Sequence, residues 1–301
     1  MTLALPFLLQ DRLGRLAFRL GRVPTELPSL EERHAQQPAR WMVRKPRTDV
    51  VRADVVAGTV PVRTYRSGPP SGRALLYVHG GGFMLGGLDA CDHICSDIAA
   101  LTGDLVVSVD YRLAPDHPFP AGLDDCLAAF QWTLGLDGVD PARVSIGGDS
   151  AGGNLTVALC LRLRDLGVAV ASQVVVYPML DLTCSRDSWV SEAPPYLTRE
   201  RVLSLIGGYY GSVDVKDPLV SPLFADLTGL PPALVITSQH DTLRDDGADY
   251  AAALSLAGVP VRYTCYQRMP HGFLSQPRLT SCYDQALSEI AHWLTGEFRA
   301  E

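Results

Sequence analysis

Apolar residues recur along this chain at two alternating periods. Short runs rich in Val, Leu and Ile occupy 50–56, 60–65, 74–78, 105–109, 143–147, 173–177, 233–237 and 261–266. Runs of that length and composition predict β-strands. Between them, apolar positions at helical spacing predict helices near 92–101, 121–134, 152–165, 243–257 and 279–297. From residue 74 onward strand and helix alternate. Such alternation implies an α/β fold, a mostly parallel central sheet with helices on both faces. The first strands, joined by short links, are expected to be antiparallel.

Two stretches break the rhythm. Residues 1–45 carry helical patterns interrupted by Pro24, Pro28 and Pro38, with no strand candidate. Between Asp181 and about Pro222 lie Pro194-Pro195 and a helix-like segment at 198–210. The expected division is residues 1–45 as the N-terminal part of a small helical cap and 46–301 as the main α/β domain, with a cap insertion at about 182–222. The two cap pieces are expected to meet in space.

Composition narrows the classes. With 47% hydrophobic and 20% charged residues in 301, the chain can bury a large core. A net charge of −7 leaves no basic footprint for nucleic acid and disfavours an anionic membrane surface. No apolar run reaches the roughly 18–20 residues of a spanning helix. The apolar segment 3–9 has no basic residue before it, and Gln10-Asp11-Arg12 follows where a small-residue cleavage site would stand. It therefore reads as the start of an amphipathic helix over 3–20, not an export signal. The seven cysteines are odd in number and scattered through helix-like and strand-like segments. That pattern fits free thiols in a cytoplasmic protein. Cys91, His93 and Cys95 cluster, but only the two cysteines share a helical face, so no metal site is expected there.

The chemistry concentrates in four places. Gly147-Gly148-Asp149-Ser150-Ala151-Gly152-Gly153 joins a predicted strand to a predicted helix. A serine on so tight a turn would be pushed out above the sheet edge, and Gly148 and Gly152 would let neighbouring backbones pass where a Cβ could not. G-x-S-x-G alone arises by chance roughly 0.1 times in a chain of this length, so it needs support elsewhere. His271, in Met269-Pro270-His271-Gly272-Phe273 after the last strand, is the best general-base candidate. The acid that orients it should follow the strand at 233–237, where Asp241, Asp245 and Asp246 stand. Asp241 lies nearest the strand end. Asp245 and Asp246 fall on the next helix, where N-terminal capping and dipole compensation would explain them. His79-Gly80-Gly81-Gly82 follows the strand at 74–78, and its glycines let backbone N–H groups turn toward an oxyanion. Ala151 would add an N–H at a helix N-terminus. A phosphate cradle is the competing reading, but no G-K-[ST] ending supports it.

Taken together these segments resemble the hormone-sensitive-lipase-type esterases of the α/β-hydrolase superfamily. The resemblance is carried by His79-Gly80-Gly81-Gly82-Phe83, by the segment 110–121 from Asp110 to Ala121, and by Gly148-Asp149-Ser150-Ala151-Gly152-Gly153. Asp217-Pro218-Leu219-Val220-Ser221-Pro222, Asp241-Thr242-Leu243-Arg244-Asp245 and His271-Gly272-Phe273 complete it in the family's order. It implies an α/β-hydrolase fold and a Ser150–Asp241–His271 triad. It also implies oxyanion donors at Gly81, Gly82 and Ala151, a helical cap, and cis bonds before Pro115 and Pro120. The expected activity is hydrolysis of short-acyl carboxylic esters through an acyl-serine, with no metal or organic cofactor. An N-acetyl deacetylase or a lactone hydrolase would use the same triad, and a ligand-binding receptor on the same fold would lack the histidine that His271 supplies. A homodimer through the strand at 261–266 is expected by analogy. The chain departs from the family pattern at Asp116 (usually Glu), Thr242 (usually Pro) and Arg268 (usually Gly nearby). No long exposed apolar face is expected on the cap. Trp41, Leu197 and Tyr209 are expected to line a short acyl slot.

Overall fold

The computed structural model describes residues 3–19, 28–36, 39, 41–45, 47–193 and 199–296. Pro24, Pro38, Pro194-Pro195 and Leu197 lie outside the described residues. Eight strands form one sheet: β1 (Val51–Ala57), β2 (Val60–Arg66), β3 (Gly72–Val78), β4 (Leu105–Val109), β5 (Val139–Asp149), β6 (Gln173–Val176), β7 (Ala233–His240) and β8 (Val261–Pro270). Their order is β1-β2-β4-β3-β5-β6-β7-β8. β1 pairs antiparallel with β2 and β2 with β4, whereas the pairs from β4 through β3, β5, β6 and β7 to β8 are parallel.

The central strands are buried on both faces, which is why they read as continuous apolar runs without alternation. The period of two survives inside the core. Leu75, Val106, Val174, Leu234 and Ile236 join the layer with α3 (Asp92–Thr102) and α9 (Cys282–Thr295). Leu76, Val107, Ile146, Val175 and Val235 face α4 (Ala121–Leu134), α5 (Ala151–Asp165) and α8 (Arg244–Leu256). The strand order reverses at β3, whose successor β4 lies on one side and β5 on the other. Loops leaving β3 and β5 therefore diverge and open a crevice at the strands' carboxyl ends, the place where α/β sheets bind ligands.

Ahead of the sheet lie α1 (Leu5–Arg19) and α2 (Leu30–His34), and the stretch after β6 holds α6 (Ser188–Ser191) and α7 (Arg199–Tyr210). Both of these segments reach the loop after β4. Arg33 of α2 donates to the Ala114 carbonyl, and the Tyr209 carbonyl of α7 accepts from the Phe119 N–H. The Ala114–Pro115 and Phe119–Pro120 bonds in that loop are both cis.

The α1 surface differs from expectation. Leu5, Leu9, Leu13 and Leu16 are exposed, on one side of the helix, while Phe7 is buried against the α3 and α9 layer. The helix has two apolar sides, and a periodicity argument cannot tell which one docks. Among the described residues no helix is long and apolar enough to cross a membrane.

Candidate active site

Three parallel strands end within reach of one another, and each delivers one polar side chain at its last turn. β5 ends at Asp149 and Ser150 follows; β7 ends at His240 and Asp241 follows; β8 ends at Pro270 and His271 follows. Ser150 Oγ lies 2.9 Å from His271 Nε2, and His271 Nδ1 lies 2.8 Å from Asp241 Oδ2. The structure thus joins three residues that are up to 121 positions apart in the chain.

Ser150 sits at φ 56°, ψ −119°, between β5 and the first residue of α5. A non-glycine residue in that region is strained by on the order of 1–3 kcal/mol. The turn persists because the backbone around it is interlocked. A Cβ on Gly152 would stand 2.0 Å from the Val78 carbonyl oxygen, and one on Gly148 would stand 2.5 Å from the Gly152 oxygen. Glycine is required at both positions for close approach. The Ser150 N–H donates to the Val176 carbonyl, and the Ser150 carbonyl accepts from Asn154 and Met179.

Asp241 is 1% exposed, and its Oδ1 accepts the Leu243 N–H at 2.9 Å. That bond leaves Oδ2 aimed at the imidazole. Burial disfavours the His271 imidazolium, but the Asp241 charge and hydrogen bond outweigh it and raise the pKa above histidine's ordinary 6.5. The Tyr177 ring meets the His271 ring edge-on, with centroids 5.0 Å apart.

Opposite the serine runs the glycine loop. Gly80, Gly81 and Gly82 line a pocket of about 380 Å³ together with Ser150, His271 and Tyr177. Among the described residues, none accepts a hydrogen bond from the N–H of Gly81, Gly82 or Ala151. Asp149 ties this loop to the serine turn, since its Oδ1 accepts from the Gly80 N–H at 3.1 Å and the Tyr77 hydroxyl at 2.9 Å. His79 stacks on Tyr111, and its Nδ1–H donates to the Gly80 carbonyl at 2.7 Å. Burial pulls the His79 pKa down to about 4, so the ring is neutral and structural.

The remaining pocket wall corrects the expected slot. Met42, Leu85, Ala90, Cys91 and Ile94 supply apolar surface, and Gln36 and Gln276 supply amides. Trp41 is 59% exposed, and Tyr209 stacks on Phe83 away from the lining. Cys91 and Cys95 approach to 3.9 Å between sulfurs, while His93 turns away to the Leu274 carbonyl. Among the described residues no cluster of three or more His, Cys, Asp or Glu forms a metal site.

Asp245 and Asp246 do more than compensate a helix dipole. Asp245 accepts the Ser188 N–H, and buried Asp246 accepts the N–H groups of Leu180 and Asp181 at 2.8 and 2.9 Å. They bolt α8 to the start of the insertion. Burial, aided by the nearby Asp181 charge, pushes the Asp246 carboxyl up to about 8 against those hydrogen bonds. The carboxyl's ordinary value is 3.8, so between about 4 and about 8 the folded chain holds the proton that the unfolded chain has released. Stability from this group is full below the lower value and lost as pH rises through the upper one. Asp246→Asn should therefore gain Tm relative to the wild type between pH 5 and pH 9, checked by calorimetry; a constant difference contradicts the assignment.

A hydroxyl bonded to an imidazole that is bonded to a buried carboxylate, in one pocket with a glycine loop, is the arrangement of a serine hydrolase of the α/β class. Comparison with known proteins agrees: residues 75–275 match the family described as alpha/beta hydrolase fold. Carboxylesterase NlhH of Mycobacterium tuberculosis is 41% identical over 231 residues, 72% of each chain. The ethyl acetate hydrolase of Pseudomonas putida is 36% identical over 251 residues, 78% of each chain. The crystal structure of an esterase from the bacterial hormone-sensitive lipase family superposes with a TM-score of 0.86 at 32% identity, over 97% of this chain and 98% of the other. The chain belongs to the bacterial hormone-sensitive-lipase family of α/β-hydrolases, and it is a carboxylic-ester hydrolase.

Proposed function

We propose that Ser150, His271 and Asp241 are the catalytic triad of a short-acyl carboxylesterase. The observation that carries the reading is the continuous bond path from Ser150 Oγ through His271 to Asp241 Oδ2 at the floor of the pocket. His271 Nε2 takes the Ser150 proton as Oγ adds to the ester carbonyl. The tetrahedral oxyanion then faces the N–H groups of Gly81, Gly82 and Ala151. As the intermediate collapses, His271 returns the proton to the leaving alcohol. Water repeats the sequence on the acyl-Ser150 ester and frees the acid. Asp241 holds the Nδ1–H tautomer throughout and stabilises the imidazolium.

Residues 1–45 and 182–222 act as the cap over this site. Gln36 and Met42 on the pocket wall support that role, as does the grip of α2 and α7 on the loop after β4. A cytoplasmic location fits seven unpaired cysteines. The edge strand β8 is the surface on which a second copy would pair, and light scattering on the purified protein tests it.

The short-acyl assignment rests on pocket size and on the relative that hydrolyses ethyl acetate. Each methylene that fits contributes up to about 0.8 kcal/mol, and a longer chain must displace packed side chains. On nitrophenyl esters kcat/KM should peak between about two and eight acyl carbons and collapse for palmitate. The exposed leucines of α1 make the same series informative at high substrate. A rate that jumps above the micelle concentration, or a maximum at palmitate, would mark a lipase instead.

A further inference from the structure

We infer that Arg33, on the N-terminal helix α2, is a positioning residue for the oxyanion loop. The inference rests on the triad reading above and concerns what holds Gly81 and Gly82 in place. Their N–H groups point where the turn from Gly81 to Gly86 points them. The near end of that turn is tied down by Asp149 on the Gly80 N–H. The turn closes on itself, because the Gly81 carbonyl accepts from Met84 and Leu85 at 3.2 and 2.9 Å.

Its far end is held by α2. Arg33 Nη1 donates to the Met84 carbonyl at 3.1 Å, and the Gly86 N–H donates to the Arg33 carbonyl at 2.9 Å. The same Nη1 donates to the Ala114 carbonyl at 2.5 Å, Nη2 pairs with Asp116, and Nε donates to the Pro28 carbonyl at 3.1 Å. Arg33 is 3% exposed. A buried cation with its donors spread over three carbonyls and one carboxylate fixes the distance between the 81–86 turn and the 114–116 loop. The planar guanidinium does this with a rigid fork that an ammonium lacks.

A five-residue helix has no stability of its own, so Arg33 locates α2 as much as α2 locates Arg33. The loop that would hold the developing charge is thus registered from the cap side as well as from the sheet side. Gln36, at the end of the same segment, reaches the pocket wall.

The test compares Arg33→Met, Arg33→Lys and Arg33→Ala in the full chain on nitrophenyl butyrate. A displaced oxyanion donor should lower kcat about 10–100-fold while KM stays within about threefold, because misplacement by an ångström costs on that order. Inhibition by an aryl trifluoromethyl ketone, which forms a tetrahedral adduct, should weaken by the same factor as kcat/KM. Millimolar guanidinium should restore part of kcat to Arg33→Ala and leave the wild type unchanged. Should Arg33→Met not fold, Arg33→Lys carries the test, with kcat reduced at a native Tm. A folded Met or Lys variant with kcat within twofold of wild type overturns the inference, as does a loss confined to KM. A wild-type enzyme without turnover or without labelling at Ser150 would remove the triad reading instead.

Discussion

Ser150→Ala should lower kcat on nitrophenyl butyrate by about a millionfold, the size expected when a serine hydrolase loses its nucleophile. The substitution removes one oxygen, whose hydrogen bond is to His271 Nε2. Every backbone bond of the turn remains: Ser150 N–H to Val176, and the Ser150 carbonyl to Asn154 and Met179. Alanine takes up the same positive φ at the same strain, so Tm should stay close to that of the wild type. What activity is left would come from binding and from the Gly81, Gly82 and Ala151 donors acting on a water attack. Steady-state kinetics with purified variant, alongside a thermal melt, checks both halves. Near-native turnover in folded Ser150→Ala protein would remove the acyl-serine mechanism.

Asp241→Asn should cost about 10⁴ in kcat with little change in fold. The reason lies in the two bonds that the carboxylate divides between its oxygens. Oδ1 accepts from the Leu243 N–H and Oδ2 accepts from His271 Nδ1–H. An asparagine oxygen that stays on Leu243 turns its NH₂ toward His271. Nδ1 must then become an acceptor, the ring proton moves to Nε2, and Nε2 can no longer take the Ser150 proton. The pH profile reports the same event. In the wild type the acid limb of kcat/KM should lie above histidine's ordinary 6.5, because Asp241 raises His271 despite burial and the proposed base works only once deprotonated. Without the Asp241 charge the limb of the residual activity moves to lower pH. Asp245→Asn is the control: it loosens the bond to Ser188 and should lower Tm with kcat within a few-fold. If the two variants exchange behaviours, Asp245 is the orienting acid.

The features that were legible in the sequence are those whose chemistry needs special residues side by side. The serine turn needs Gly148 and Gly152 beside Ser150, the loop proposed to hold the oxyanion needs consecutive glycines, and both announce themselves in a handful of letters. The strand pattern was legible for a related reason. Buried parallel strands must be almost wholly apolar, as 74–78, 105–109 and 233–237 are apart from Ser108 and Thr237, so the α/β-hydrolase architecture could be read with element ends a few residues short. β5 was the largest shortfall, beginning at Val139 because Asp140 to Arg143 are exposed and separate Val139 from the apolar run that follows.

Other features depend on contacts that no local pattern encodes. Arg33 sits in a short polar segment, and its burial follows from carbonyls 51 and 81 residues away. Asp246 reads as an ordinary helix-start acid until the N–H groups of Leu180 and Asp181 are brought to it. The pocket wall was misread because position in the chain says little about direction. Met42 lines the pocket while its neighbour Trp41 faces outward. On α1 the leucine stripe was visible, but a helix with apolar residues on two sides does not declare which side the body will take.

The acyl-serine assignment is tested most directly by labelling with a fluorophosphonate, which traps an activated serine as a stable phosphonyl ester. Trypsin cuts after Arg143 and Arg162, so the peptide Val144 to Arg162 carries Ser150 along with one other serine, Ser145, and fragment masses separate them. The proposed mechanism predicts one label per chain, placed on Ser150, with esterase activity lost in proportion to label. Activity lost with the label on any other residue, or Ser150 fully labelled with activity retained, would contradict it.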